Sequence, residues 1–514
     1  MCAGALPWSR LGILANLCVL AAAPSVASAQ KVLVETGIGS QLLWTSNAGF
    51  GQDGDVGSGE DTILQVSPRV SIRADGARLK LSAAGSLNAV AYANHTHDSR
   101  ILPEVDATAR LEAIERLGFL EAGYRATQTS QNPFGVREEG ASTSNVVTTT
   151  QARFSPVIES SARADFRYRL RSDNSWVRVI GAGSGSGAST AAGYFGRHAA
   201  SVEQDPRPFG WRLEADRTVT RYDESAQPDV RIDTARAGLR YALNEEFSAG
   251  LRGGVERNNF DGVDGSRTIS GFDLRWRPSE RTLLTAQRER RFFGSGWEAT
   301  FDHRMPQLAW SFKLSRGVDT TPQSLFELPA TANVASLLDA MFTTRFPDPA
   351  ERARAVQDFI ARQSLPTATI QPTVLLSERL SLVTLRNASV VLTGTRNTLA
   401  LSAYQVRTED VPGVGLFAGG GANNNNMQYG AAANLSHRLT PALGLNLGVS
   451  WSRTRALEGI GPDRTVQRGV TVQLNLEASR STSAYFGSRL RKIDSNVVTE
   501  GKEGAVFAGM DHRF

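Results

Sequence analysis

The stretch "MQYGAAANLSHRLTPALGLNLGVSWSR", residues 427–453, decides the fold. In its first half every second residue is apolar or aromatic: Met427, Tyr429, Ala431, Ala433, Leu435. Between them stand Gln428, Gly430, Ala432, Asn434 and Ser436. Thr440-Pro441 interrupts, and the alternation resumes with Leu443, Leu445, Leu447, Val449 and Trp451. A period of two places successive side chains on opposite faces of an extended chain. The stretch therefore reads as a strand, a tight turn and a strand, each with one apolar face and one small or polar face.

The same pattern recurs along most of the chain. Phe166, Tyr168 and Leu170 alternate with Arg167, Arg169 and Arg171. Ala235, Ala237, Leu239 and Tyr241 alternate with Arg236, Gly238 and Arg240. Phe272, Leu274 and Trp276 alternate with Asp273, Arg275 and Arg277. A soluble sandwich also alternates, and three features argue against it. The strands run about ten residues or more, as a bilayer-crossing strand requires. The face opposite the apolar row is rich in arginine. Short turns, at Asp75-Gly76, Asn244-Glu245, Pro278-Ser279, residues 394–397, Thr440-Pro441 and Arg480-Ser481, alternate with longer segments such as 49–60, 131–145, 409–426 and 456–463. That asymmetry belongs to an outer-membrane barrel. Only closure lets a β-chain cross lipid with its backbone groups paired. The expected fold is an all-β transmembrane antiparallel barrel of about 22 strands (18–22) with one helical insert.

Both ends of the sequence fit this reading. Arg10, an apolar run and Ala27-Ser28-Ala29 have the layout of a signal peptide over residues 1–29. Its removal would take away Cys2 and Cys18, the two cysteines, leaving no disulfide and no thiolate site. The chain has 56 Lys+Arg against 51 Asp+Glu. That mild balance does not suggest a nucleic-acid partner. No later apolar stretch is long enough for a membrane helix. At the other end, a last strand over 504–514 is expected to close the barrel against a first strand over 32–45. Its outward row would be Val506, Ala508, Met510, His512 and Phe514, with Phe514 as the C-terminal mark read by the outer-membrane assembly machinery.

Residues 322–372 break the β-pattern. Two helices are expected there. One covers 334–343. The other starts at Asp348 as N-cap, with Pro349 at the first helical position and Glu351 closing a capping box. Ala350, Ala353, Val356, Phe359 and Ile360 share a face that needs covering. The parity of the turns puts this insert on the outer side, as a lumen plug or a mobile outer loop.

Motifs for chemistry are weak. "GVGLFA" (413–418) has no βαβ context. His95-x-His97 lacks a third ligand, and no Gly-x-Ser-x-Gly elbow occurs. No cofactor, metal or catalytic residue is implied.

"RNASVVLTGTRNTLALSAYQVR" (386–407), "NLSHRLTPALGLNLGVSWSRTRA" (434–456) and "DPAERARAVQDFI" in the insert resemble a family of outer-membrane proteins. That family is associated with the PEP-CTERM/exosortase system and exopolysaccharide gene clusters of Gram-negative bacteria. The resemblance implies an outer-membrane barrel near polysaccharide export, with export components as partners besides membrane lipid. It supplies no functional residues.

The sequence supports three functions: passage or export of a hydrophilic solute, a docking protein with a plugged pore, and a barrel-borne lipid- or glycan-modifying enzyme. For the first, Arg167, Arg169, Arg171, Arg236, Arg240, Arg275 and Arg277 are the expected basic lumen lining. A lipid-facing arginine at mid-bilayer costs about 2–4 kcal/mol, so the shared phase of these residues must point inward. Asp165, Asp273, Glu214 and Asp216 are expected to offset part of the charge.

Overall fold

The computed structural model describes residues 31–50, 59–130, 132–137, 145–160, 166–180, 192–223, 229–260, 265–327, 334–363, 370, 372–374, 380–411, 425–457, 463–496 and 500–514. The expected signal peptide, Asp165, the Gly-Ser run from 181 and "GVGLFA" lie outside the described residues.

Twenty-two strands follow one another. The first eight are β1 (Lys31–Thr45), β2 (Asp61–Asp75), β3 (Leu79–Tyr92), β4 (Arg100–Ile114), β5 (Gly118–Ser130), β6 (Val146–Glu159), β7 (Arg167–Ile180) and β8 (Gly193–Gln204). Next come β9 (Phe209–Tyr222), β10 (Val230–Ala242), β11 (Phe247–Asn258), β12 (Gly265–Ser279), β13 (Thr282–Arg291), β14 (Gly294–Arg304) and β15 (Leu308–Thr320). The insert holds α1 (Thr321–Glu327), α2 (Val334–Phe342) and α3 (Pro349–Gln363). The last seven strands are β16 (Leu380–Thr393), β17 (Asn397–Asp410), β18 (Asn426–Arg438), β19 (Leu443–Ala456), β20 (Arg464–Glu477), β21 (Thr482–Ser495) and β22 (Gly501–Arg513).

Each strand pairs antiparallel with the next, and β22 pairs with β1 from Gly37↔Arg513 to Thr45↔Ala505. The barrel is closed, so no edge is left to lipid. In the closing pair Val506 faces Trp44, Ala508 faces Leu42 and His512 faces Ile38, as the outward row requires. The last strand is longer than expected at its start and ends at Arg513. Phe514 continues the row: its N–H donates to the Thr36 carbonyl at 3.0 Å, and its ring lies 5.0 Å from His512.

The outward residues form an apolar belt. Leu213, Leu239, Leu251 and Phe272 belong to it, and Leu251 is 74% exposed on the isolated barrel. Burying such side chains in lipid stabilises the assembly by roughly 25 cal/mol per Å². Aromatic contacts Phe166–Trp211, Phe209–Tyr241 and Phe301–Trp310 gather near the end that carries the chain termini, in the manner of a girdle.

The two ends of the barrel differ in their connections. At the terminus-bearing end the strands join through short turns, such as 76–78, 280–281 and 394–396. At the other end they join through longer segments, such as 46–60, 131–145 and 411–425. These are called the turn end and the loop end. The Pro278-Ser279 turn falls two residues later than expected. Pro278 has no N–H, and the β12–β13 register shifts between Trp276 and Ser279, so the strand continues through a bulge.

The insert leaves β15 at the loop end. Among the described residues it contains three helices, where the sequence reading expected two. The short α1 has no apolar period by which to read it. Asp348 does cap α3: the Glu351 N–H donates to its Oδ1 at 2.8 Å. The return bond that would complete a capping box is not formed.

Candidate functional site

The interior is built from the residues opposite the apolar belt, and it has two unlike walls. The first wall runs over β5 to β14 and is ionic. Low on it, Arg167 meets Glu203 at 2.9 Å and also Asp205, and Arg212 reaches Glu203 and Glu214. Arg171 sits 2.9 Å from Glu121 and 2.8 Å from Asp173, and Asp173 accepts from the Ser155 hydroxyl at 2.7 Å. Arg236 bridges Asp216 (3.3 Å) and Glu289 (3.0 Å). Arg252 bridges Asp273 (3.3 Å) and Glu289 (2.9 Å), and Arg240 binds Asp273 at 2.8 Å. Near the loop end Arg291 pairs with Glu256. Most of these ions share partners, on adjacent strands or on strands two or three away, so the pairs form a lattice. Strand alternation generates it, because opposite charges directly across or diagonal on one face attract.

The seven arginines expected to line the lumen all lie on this face. Five of them are ion-paired: Arg167, Arg171, Arg236 and Arg240 as above, and Arg169 with Glu159 at 3.5 Å. Arg275 and Arg277 are exposed and make no ion pair among the described residues. The pairing is more extensive than the offset by Asp273, Glu214 and Asp216 expected from the sequence. Glu203, Glu289 and Arg252 hold much of the lattice, and the sequence reading did not single them out. Their signal was present: each stands in the inward phase of an alternating strand.

The second wall runs over β16 to β20 and is nearly uncharged. Its inward residues include Val391, Ala400, Tyr404, Gln428, Asn446, Ser452, Thr465 and Gln467. Two segments pack on it. The α2–α3 pair descends to the turn end. There Val334, Leu337, Leu338, Met341 and Val356 close over Ala309, Val391 and Ala400, with Phe359 and Ile360 packed alongside. Arg304, at the turn end of β14, donates to the Ala340 carbonyl at 3.1 Å, and Arg73 of β2 donates to Gln357 at 3.2 Å. Arg352 fastens α3 to α2 through Asp339 at 2.8 Å. The insert thus starts at one end of the barrel and rests its helices at the other.

The second segment, 132–137 from the β5–β6 connection, reaches across to the same wall. The Arg137 N–H donates to Gln467 at 2.9 Å, and the Thr465 hydroxyl donates to the Phe134 carbonyl at 2.8 Å. Gln428 ties residues 132–137 to residues 372–374, on the way back from the insert to β16. It accepts from Arg137 (3.1 Å) and the Thr373 N–H (2.9 Å), and donates to the Thr373 carbonyl (2.9 Å). At the mouth, α1 contacts β7 and β8 as well as β15, and the Thr320 and Thr220 hydroxyls are 3.0 Å apart. A cavity of about 320 Å³ remains beside residues 372–374, lined by Glu289, Arg291, Glu298, Lys313 and Asp319 among others.

The residues considered for chemistry are placed elsewhere. His95 Nδ1 is 3.1 Å from the Ala93 carbonyl, and His97 lies against Tyr92 with ring centroids 5.4 Å apart. Burial, and then the charge of Arg100, hold the His97 imidazole below its ordinary pKa. Among the described residues no group of three metal-ligating side chains forms. Ser172 Oγ is 2.8 Å from His198 Nδ1 on the outward face. Thr282–His303 and Thr482–His512 repeat this cross-strand bond, so it is a pairing device in this barrel. No acid or amide among the described residues orients the other ring nitrogen of His198.

No protein-family model and no curated protein matches the sequence. Among solved structures, the chain is similar to the siderophore receptor PirA from Pseudomonas aeruginosa at 9% identity and TM-score 0.41, covering 93% of this chain and 80% of that one. It is similar to the FrpB iron transporter from Neisseria meningitidis at 9% identity and TM-score 0.47, covering 93% and 81%. The third is OpdK from Pseudomonas aeruginosa, solved with vanillate, at 10% identity and TM-score 0.36, covering 94% and 99%. These are likenesses of barrel architecture, without a sequence relation that would carry a substrate across.

Proposed function

We propose that this outer-membrane barrel conducts a hydrophilic solute along its ionic wall, while the insert and residues 132–137 occupy the opposite wall. The observation that carries this reading is the segregation of charge. Burying an ion under a packed segment is costly unless it is paired, so the wall under the helices carries few ions, and where residues 132–137 reach Arg491 of β21 that arginine is paired with Glu503. A wall of paired arginines and carboxylates suits contact with water and with solute. It offers donors and acceptors at many closely spaced positions, and multi-site, individually weak contacts favour passage over capture.

The family resemblance supplies the solute class in this reading, an extracellular polysaccharide. Sugar hydroxyls both donate and accept, and the lattice presents both partners without a large net field.

The test is planar-bilayer conductance of the full chain beside a variant in which residues 322–372 are replaced by a short Gly-Ser linker. The variant should conduct strongly, and added acidic oligosaccharide should block it intermittently. A variant that inserts and folds yet stays closed would end the conduit reading and favour docking.

A further inference from the structure

A second charged surface faces outward, where lipid is, and the lumen plays no part in it. On β19 to β22, six cations share the outward phase with the apolar belt: Arg453, Arg455, Arg464, Arg468, Lys492 and Lys502. The pairing register sets like charges against one another. Arg455 stands opposite Arg464, and Lys492 stands between Arg468 on one side and Lys502 on the other. Like charges directly opposed across a ladder are destabilising. The one carboxylate on these strands in the same phase is Asp494, which takes Lys492 at 2.6 Å and Arg468 at 3.7 Å. Arg453, Arg455 and Lys502 make no ion pair among the described residues, and Arg464 reaches Asp494 only through its longer-range field. The Arg453 Nε is buried without an acceptor.

Their height is defined by the strands. Arg468 is nine residues from Glu477 at the turn end of β20, and Lys492 is ten from Thr482 at the turn end of β21. A strand tilted about 40° climbs roughly 2.5 Å per residue, which places these cations about 23–25 Å above the turn end, the height of the apolar belt. Just beneath them lie exposed Trp451, Val470, Leu490 and Val506. Cations at the upper border of a lipid-facing belt meet headgroups. Arginine forks match phosphate oxygens, which resolves the opposed charges.

We propose that this patch binds the phosphate groups of an anionic glycolipid in the outer leaflet, with the acyl chains lying on the Trp451–Val506 surface.

The test uses the full-length barrel in dodecyl maltoside, with retention of diphosphoryl lipid A measured through gel filtration. Wild type should retain the lipid. The variant Arg455→Ser/Arg464→Ser/Lys492→Ser/Lys502→Ser should retain about tenfold less, since each surface cation contributes separately. Arg217→Ser, an outward arginine already paired with Asp233, should behave as wild type. Lipid A stripped of its phosphates should be retained no better than by the fourfold variant. Equal retention by the variant, or of the stripped lipid, overturns the proposal. Displacement by millimolar inorganic phosphate also overturns it and assigns the patch to free anions. If the fourfold variant does not fold, Asp494→Asn decides, because it removes the one competing carboxylate. Retention must rise, and no change or a fall refutes the site.

Discussion

The two walls of the lumen come from one strand grammar and reach opposite ends. On β5 to β14 the inward positions carry arginines and carboxylates, and the interior ion pairs described there join strands of the same wall. On β16 to β20 the inward positions carry small, apolar and uncharged polar residues such as Ala400, Val391, Tyr404, Gln428 and Thr465, and distant segments of chain pack on them. An ionic surface satisfies itself and needs only water above it. A small-residue surface leaves room and unspent hydrogen bonds, so another segment can dock on it. The difference teaches where a plug belongs before any plug is seen.

Four measurements would break or sharpen that contrast. The largest effect is expected from a charge placed under the plug. Ala400→Asp buries an unpaired carboxylate beneath α2, at a cost of about 3–5 kcal/mol if the helix stays. The insert should release, and trypsin should then cut at Arg354 while the barrel keeps its heat-modifiable migration. Continued protection would mean that the helices do not rest on this wall.

Next is Leu338→Ala, at a fully buried position of the same contact. A loss of about 2–5 kcal/mol of docking stability is expected from the cavity it leaves. Hydrogen exchange should show it in α2 and α3, with β16 and β17 unchanged.

Third is the ionic wall, probed in the insert-deleted pore. Changing Arg167, Arg169 and Arg171 together to Ser takes one arginine partner from each of Glu203, Asp205, Glu159, Glu121 and Asp173 and leaves the wall three positive charges poorer. Reversal potentials in a salt gradient should move toward cations. Glu289→Gln, which takes one carboxylate from Arg236 and Arg252 and leaves them Asp216 and Asp273, should move the potentials toward anions. Identical potentials for both variants would remove the lattice from the conduction path.

The smallest effect is expected from Arg275→Ser/Arg277→Ser. Both side chains are exposed, so stability should change by less than about 0.5 kcal/mol. The potential should shift slightly toward cations.

Much of this was legible in the sequence, because period two is a strong signal when it persists for ten residues. Phe166 to Arg171 showed both faces of β7, and Thr440-Pro441 showed the turn between β18 and β19. Asp348 announced α3. What could not be read was contact across the ring. Gln428 looks like any polar residue in the alternation, and only the arrival of Arg137 and Thr373 makes it a hub. Arg167 looked like a free lining cation because Glu203 lies a strand away. The depth of the insert was hidden for the same reason: the apolar face of α3 says that something covers it, without saying which strands do so. Outward Arg455 and Arg464 escaped notice because each alone is an ordinary charge near a loop.

The β15–β16 hairpin differs from its neighbours in time as well as in shape. Its first pair, Thr320↔Leu380, closes over residues 321–379, whereas β19 and β20 close over residues 457–463. Loop-closure entropy grows as the logarithm of length, so the longer link costs about 2 kcal/mol more before any contact offsets it. That hairpin should be among the last to zip. The segment it carries rests its helices at the end of the barrel opposite its anchors. The lumen is therefore expected to fill late, near the time at which β1 meets β22, and the strands can close the ring with or without that filling.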